Sequence, residues 1–491
     1  MKVNARVAPA NRSRRLGRVG SERERKRGRE ERGAIVAHSR RTRGQSKCSL
    51  AQRGSSRSSL PARLVPSPRP SQVHAEAGGM GWCRLVSTAA LLVHVASPQS
   101  SLAYGTNVQR LSRAHFEFTL DLYRHLMEAP GGRDNVLFSP YSIYNVLSML
   151  FLGAGASSDT SRQLRQALHY TNMSYAEVHN AFKLVLENFQ DSYYNDTVQV
   201  ANGVFRQQGV GVSSYYERAL EEFYKTRMDE LDFAGDQEST RTFINDWVSQ
   251  RTGHRIQQLL TKPPAADTQL VLVNALSMRA RWLFSFDEAH TFAKGLFYIN
   301  SQRRFEIPMM IGKFKLPLGY SQDLECRVLE IPFKDRRISL FILLPDDLDR
   351  GLARLEEHMS SDTIKALFST LKDEMVNIRL PRFRVSQSAN LVEALVRMGV
   401  ADIFSASKAD FSGMSDDRSI HISDIAHKTI LEIRESGADA ASATATGLER
   451  IGSFGDKYFE VDHPFLFFIW DYRSGIVLFM GRVADPTPIT E

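Results

Sequence analysis

Residues 435–457 read ESGADAASATATGLERIGSFGDK. The front of this stretch is Ala, Ser, Thr and Gly for more than ten residues, with no proline. By composition alone it is a flexible linker. Parity says otherwise. In an extended chain Ala438, Ala440, Ser442, Thr444, Thr446 and Leu448 fall on one side, and none is charged. Asp439, Ala441, Ala443, Ala445, Gly447 and Glu449 fall on the other, which holds both acids. A segment with one small uncharged face and one acid-tolerant face can join a sheet as a strand. It leaves a strand ending at Glu432–Ile433 and leads to another near Phe459.

Working outward, the second half of the chain reads as strands. Residues 268–278 (TQLVLVNALSM) are apolar on both parities, as in a strand covered on both faces. Residues 338–344 and 376–380 look similar, and 465–470 and 476–480 flank the turn DYRSG as a buried hairpin. The first half reads as mainly helical. Ser139 and Pro140 are an N-cap and first-turn proline before a helix that is apolar nearly all round. Ser174 and Glu177 make a capping box for a helix with the stripe Val178, Phe182, Val185 and Phe189. Phe243, Ile244, Trp247 and Val248 predict a further helical stripe ending near Gly253. The class is α+β with large antiparallel sheets.

The chain has 491 residues and a formal net charge of +8, but that charge is unevenly placed. Residues 1–80 carry 20 Lys+Arg and 5 Asp+Glu, so the remainder is net acidic. The overall basicity is therefore no argument for a nucleic-acid partner. The Arg/Ser/Gly-rich segment before residue 80 predicts disorder, and it is read as sequence upstream of the true start. Met80 opens MGWCRLVSTAALLVHVASPQSSLAY, with a basic residue, an apolar run and a small-x-small site ending at Ala103. That pattern is a secretory signal peptide. The expected organisation is 1–79 as a disordered basic segment, 80–103 as the signal and 104–491 as one domain, secreted to the extracellular space. Asn172 and Asn195 then become N-glycosylation acceptors. No run of 18 or more apolar residues predicts a membrane span.

The search for catalytic chemistry is negative. There is no GxSxG elbow, HExxH, phosphate loop, kinase set or Cys/His cluster at zinc spacing. No metal and no cofactor are expected, and the chain is not expected to be an enzyme. Cys326 sits in an apolar strand (ECRVLEIPF) as a buried inert thiol.

NVLFSPYSI (135–143), INDWV (244–248), LVLVNAL (270–276), SDIAHKTILEI (423–433), HPFLFFI (463–469) and VLFMGRVADP (477–486), in this order and spacing, resemble the serpins. The resemblance implies three β-sheets, about nine helices and an exposed reactive loop. It implies a polar cluster under the main sheet at Ser139, Ser142, Asn274 and His427, and a tryptophan at the top of that sheet, Trp282. Glu435 and Gly437 match the hinge of the loop, and Ala440, Ala441, Ser442 and Ala443 its small-residue run. Ala438 and Asp439 depart from the family's usual Thr or Ser and Glu, without adding charge or bulk to the side that must be buried. The implied activity is suicide inhibition of a serine protease by a monomer, through an acyl-enzyme and insertion of the cut loop. Two scissile bonds remain open. The commonest family spacing from Glu435 gives Ile451-Gly452, which suits an elastase-like pocket. Arg450-Ile451 is one residue earlier, and its arginine fits the acidic pocket of trypsin-like enzymes; that bond is preferred. Helix 174–189 carries no basic face, so no glycosaminoglycan cofactor is indicated. A carrier or chaperone without inhibitory activity is the alternative.

Overall fold

A strand that is apolar on both parities needs cover on both faces, and β4 (Leu270–Arg279) has it. Leu270, Leu272 and Leu276 join the main core, while Val271, Val273 and Ala275 join a second core on the opposite face. The computed structural model that shows this describes residues 101–128, 134–189, 197–279, 281–435 and 456–488. β4 is central in a six-stranded sheet ordered β15 (Thr487–Pro488), β10 (Phe383–Asn390), β11 (Ile422–Ile433), β4, β2 (Val198–Gln207) and β3 (Met228–Leu231).

The other strands form one hydrogen-bonded path. It runs β1 (Val136–Phe138), β14 (Ile476–Val483), β13 (Phe465–Asp471), β8 (Ile338–Pro345), β7 (Cys326–Pro332), β6 (Arg303–Ser321), β9 (Lys372–Pro381) and β12 (Lys457–Glu460). β5 (Phe292–Asn300) is attached to β6. The 19-residue β6 links two parts of this path. Its body pairs with β5 and β9, and its last residues, Leu318 to Ser321, pair with β7. Hydrogen bonding thus groups the described strands into two sheets, the larger built of two parts that share β6.

Nine α-helices accompany the sheets among the described residues. They are α1 (Ser101–Met127), α2 (Pro140–Gly153), α3 (Asp159–Ala167), α4 (Tyr175–Asn188) and α5 (Ser214–Tyr224). The remainder are α6 (Gln237–Arg251), α7 (Gly351–His358), α8 (Ser361–Ser369) and α9 (Leu391–Arg397). α2 is buried along its whole length, and its start is as the sequence predicts: Ser139 Oγ accepts the Ser142 N–H, with Pro140 at the first position. α4 has the full Ser174–Glu177 capping box and buries Val178, Phe182 and Val185. The hairpin of β13 and β14 closes through Gly475 at φ 71°, and the Asp471 carboxylate accepts the Ser474 N–H at 2.8 Å.

α6 departs from its predicted stripe. Ile244 and Val248 are buried, but Phe243 is 46% exposed and Trp247 half-buried. The helix lies on the front face of the six-stranded sheet, over the small Ala201 and Gly203 and over Phe205, whose ring meets Trp247 at 5.3 Å. A Cβ on Gly203 would stand 2.7 Å from Trp247 Cη2. Gly203→Ala is therefore expected to lift α6 and cost about 1–3 kcal/mol. Urea unfolding should show the loss, and the cost should shrink in a Trp247→Leu background.

Candidate functional site

The strand before the ESGADAASATATG stretch is β11, and its inner neighbour is β4. The two run parallel, from Ile422 opposite Leu270 to Glu432 opposite Arg279. Their outer neighbours, β10 on β11 and β2 on β4, are antiparallel. A chain leaving the end of β11 and folding back between them would be antiparallel to both. One parallel ladder would become two antiparallel ones, the pairing with the better hydrogen-bond geometry.

A side-chain latch crosses this seam halfway along. His427 of β11 and Asn274 of β4 are register partners, and His427 Nδ1–H donates to Asn274 Oδ1 at 2.6 Å. His427 Nε2 accepts the Ser139 N–H (3.4 Å) and the Thr429 hydroxyl (2.7 Å). These partners fix the neutral, Nδ1-protonated tautomer. The row continues into β2: Asn202, opposite Asn274, accepts from Asn274 Nδ2 (3.2 Å) and from the Ser142 hydroxyl (3.0 Å). The four predicted latch residues do come together at the N-terminus of α2. Asn202 and Thr429 complete the network and were missed. The available signal for Asn202 was an Asn amid VQVANGV, a polar residue mid-strand like Asn274.

A second cluster holds the chain where it leaves β11. Trp282 Nε1–H donates to the Arg434 carbonyl at 2.7 Å, and its ring stacks on Phe333 at 4.8 Å. The Phe286 N–H donates to the Glu435 carbonyl at 3.0 Å. The buried Glu435 carboxylate accepts from the Thr291 hydroxyl (2.8 Å) and pairs with Arg382 (3.3 Å). Glu435, predicted as a hinge residue, is therefore a fixed anchor, and Arg382 is its unpredicted partner.

The seam is covered in front by α6 and the segment after it. Ile256, Leu259 and Leu260 join Ile244 and Val248 over Ala201, Val273, Ala275 and Ile430. Lys428 Nζ donates to the Gln258 carbonyl at 2.7 Å, tying this cover to β11.

A family model for serpins (serine protease inhibitor) matches residues 113–486. The chain belongs to the serpin family. It is 36% identical to human leukocyte elastase inhibitor over 390 residues, covering 77% of this chain and all of that protein. It is 35% identical to the bovine leukocyte elastase inhibitor over 386 residues, at the same coverage. Human serpin B8 is 34% identical over 381 residues, or 77% of this chain and 99% of that one. Among solved structures, human thyroxine-binding globulin superposes with TM-score 0.71 at 26% identity, over 78% of this chain and 100% of that one.

Gly437, Ala438, Ala440, Ala441, Ser442, Ala443, Arg450, Ile451 and Gly452 lie outside the described residues, as does Asn195. Asn172 is exposed at the end of a short 3-10 turn, Tyr170–Asn172. Cys326 is buried at the start of β7, and burial pushes its thiol up to about 12.

Burial also holds three imidazoles down at about 3: His427 in the latch, His115 on α1 and His179 on α4. A histidine whose folded-state value lies below its unfolded value of about 6.5 is protonated preferentially on unfolding. Stability is then complete above pH 6.5 and erodes as pH falls towards 3, by on the order of 1.4 kcal/mol per pH unit per histidine. Unfolding free energy measured from pH 7 to 4 should carry a slope near three protons at its lower end. His427→Leu should remove one of them, and an unchanged slope would contradict the assignment.

Proposed function

We propose that this serpin is a secreted suicide inhibitor of a serine protease, cut in the loop after Glu435 and closing by insertion of that loop between β4 and β11. The observation that carries the reading is the parallel seam. It is the one internal position of the six-stranded sheet where a strand returning from β11 pairs antiparallel on both sides. The residues that would enter are small, uncharged on one face and free of proline, so they fit between two strands already packed on both faces. Loop insertion is an established form of strand addition in serpins. About a dozen new ladder bonds, each worth about 1 kcal/mol net, supply on the order of 10 kcal/mol. Until the loop is cut, the protein is held in its uninserted form by a kinetic barrier.

The protease class follows from the bait. Arg450 as the residue before the cut favours a trypsin-like enzyme, because an arginine side chain is matched by an acidic specificity pocket. A second reading, cleavage after Ile451 by an elastase-like enzyme, is favoured by the usual spacing from Glu435 and by relatives that are leukocyte elastase inhibitors. Secretion rests on the signal-like sequence after Met80, and a glycan at the exposed Asn172 belongs with it. The inhibitor works as a monomer and does no catalysis of its own.

Incubation with trypsin should give an SDS-stable adduct and release a carboxy-terminal peptide beginning at Ile451. Arg450→Ala should slow adduct formation with trypsin by at least 100-fold. A peptide beginning at Gly452, with an adduct formed by elastase instead, would select the second reading. Ala441→Pro removes a ladder donor from the inserting stretch. It should leave cleavage intact while most of the protein is recovered cut and free rather than as adduct. Cleavage of the unaltered protein without any adduct, and without a rise in melting temperature, would overturn inhibition altogether.

A further inference from the structure

The chain is fixed on both sides of the loop, by unequal tethers. Before it, Glu435 is held by Arg382, by the Thr291 hydroxyl and by the Phe286 N–H. After it, the first described residue is Asp456, and it too is held. Lys313 Nζ of β6 stands 3.0 Å from Asp456 Oδ2, and Asn377 Nδ2 of β9 donates to the same oxygen at 3.3 Å. Lys313 and Asn377 are register partners, so the carboxylate is tied to two neighbouring strands at once. Twenty residues, 436–455, lie between the two fixed points.

This pair differs from the next one along the same strand. Arg379 and Glu460 have 55% and 48% of their side chains exposed, whereas Lys313 and Asp456 have 15% and 7%. An exposed pair contributes little, but removing one partner of a buried pair leaves the other charge without compensation. The strand that follows Asp456 is a weak hold by itself. β12 has four residues, pairs with β9, and ends the hydrogen-bonded path of the described strands. Phe459, whose side chain is buried, comes only three residues after Asp456.

Reach decides which tether governs the bait. Arg450 is fifteen residues after Glu435 and six before Asp456. An extended chain spans at most about 3.5 Å per residue, so the first arm allows about 50 Å and the second about 20 Å. The alternative bond, Ile451-Gly452, is on a shorter distal arm still. The range of the bait is therefore set by the distal arm and by whatever fixes its far end. Resting on the inhibitory reading above for the identity of the bait, we infer that Lys313 and Asn377 are positioning residues for the reactive bond. Acting through Asp456, they hold the short arm so that a protease meets the bond at a fixed distance from the sheet. Without them the next fixed point is Phe459, and the arm from Arg450 grows from six residues to nine. Positioning acts before the cut, whereas insertion acts after it and draws in the chain from the Glu435 side, so the two are measurable apart.

Lys313→Met and Asp456→Asn should each lower the second-order rate of adduct formation, with whichever of trypsin and elastase cuts the loop, by about tenfold or more. The double variant should be within about threefold of the slower single one, because both changes remove the same pair. Lys313→Arg, which keeps the charge and the reach, should recover the unaltered rate to within about threefold. The number of inhibitor molecules cut per adduct should stay constant throughout. Arg379→Met, on the exposed pair of the same strand, should change the rate by less than about threefold. Should a charge variant fail to fold, Asn377→Ala, a milder loss at the same carboxylate, should still slow the reaction by about two- to fivefold. Unaltered rates in these variants overturn the assignment. So does a rise in inhibitor cut per adduct that matches the fall in rate, which places the pair in insertion, and so does an equal loss in Arg379→Met, which means that any loosening of β12 suffices. If the unaltered protein is cut without forming adduct, the inhibitory reading fails, and the same variants are read by the rate of cutting: a tenfold fall upholds the positioning role, and equal rates overturn it.

Discussion

The pairing of β4 with β11 is the constraint on which the rest depends. Two parallel strands at the centre of a sheet cannot be joined by a short turn, so each is fixed by elements far away in the chain. β4 is fixed by β2 and by α6 above it; β11 is fixed by β10 and by the anchor at Arg434 and Glu435. Between them run ladder hydrogen bonds, the side-chain bond of His427 to Asn274, and the two cores, one holding Leu272 and Leu276 with Ile425 and Leu431, the other Val273 and Ala275 with Ile430. A seam so made can part without unfolding either half. The apolar clusters that span the two strands resist parting in proportion to the area that parting exposes. The neutral imidazole, satisfied on both nitrogens, adds the register rather than the bulk of the cohesion.

That arrangement explains why the latch is polar and buried together. An unpaired polar atom in this position costs about 1–3 kcal/mol, so the network is stable only when every member is present. Ser139 contributes its backbone N–H as well as the cap of α2, and this ties the sheet to the most buried helix of the fold. The anchor at the top uses the opposite strategy. Glu435 and Arg382 form an ion pair with 3% and 15% of their side chains exposed, where removal of either partner leaves a buried charge. On the proposed insertion the latch is the part that has to yield, while the anchor fixes the point where the chain leaves β11.

Much of this was legible in the sequence, for identifiable reasons. Caps and hairpins are local, so Ser139, the Ser174–Glu177 box and the β13–β14 turn were readable directly. Ser142, Asn274 and His427 were readable because short motifs resembling a known family contain them, and Trp282 because the same resemblance implies a tryptophan at its position. Asn202, Thr429 and Arg382 were not, because their roles arise from register and side-chain reach across the sheet, which parity within one strand does not encode. β6 escaped notice because RRFEIPMMIGKFKLPLGYS mixes basic residues, prolines and glycines with its apolar ones. It pairs with β5 and β9 along its body and with β7 at its end, so no single alternation describes it. Phe243 was placed in a buried stripe on periodicity alone, yet the surface under α6 is shallow, and the ring rests edge-on against Phe205 at 6.3 Å.

The shallowness under α6 is itself part of the same design constraint. The cover in front of the seam excludes water from the closed sheet and, on the proposed insertion, has also to admit a strand beneath it. Large interdigitating side chains would satisfy the first need and defeat the second. The front core places Ala201, Gly203 and Ala275 under the helix among larger residues, Phe205, Val273 and Ile430, that meet Ile244, Trp247 and Val248. The residues of the stretch proposed to enter are mainly Ala, Ser and Thr, which add little bulk beneath the cover. On the proposed insertion, the small residues after Glu435 and those at Ala201, Gly203 and Ala275 answer to one requirement, that a strand be added under α6 without rebuilding the core above it.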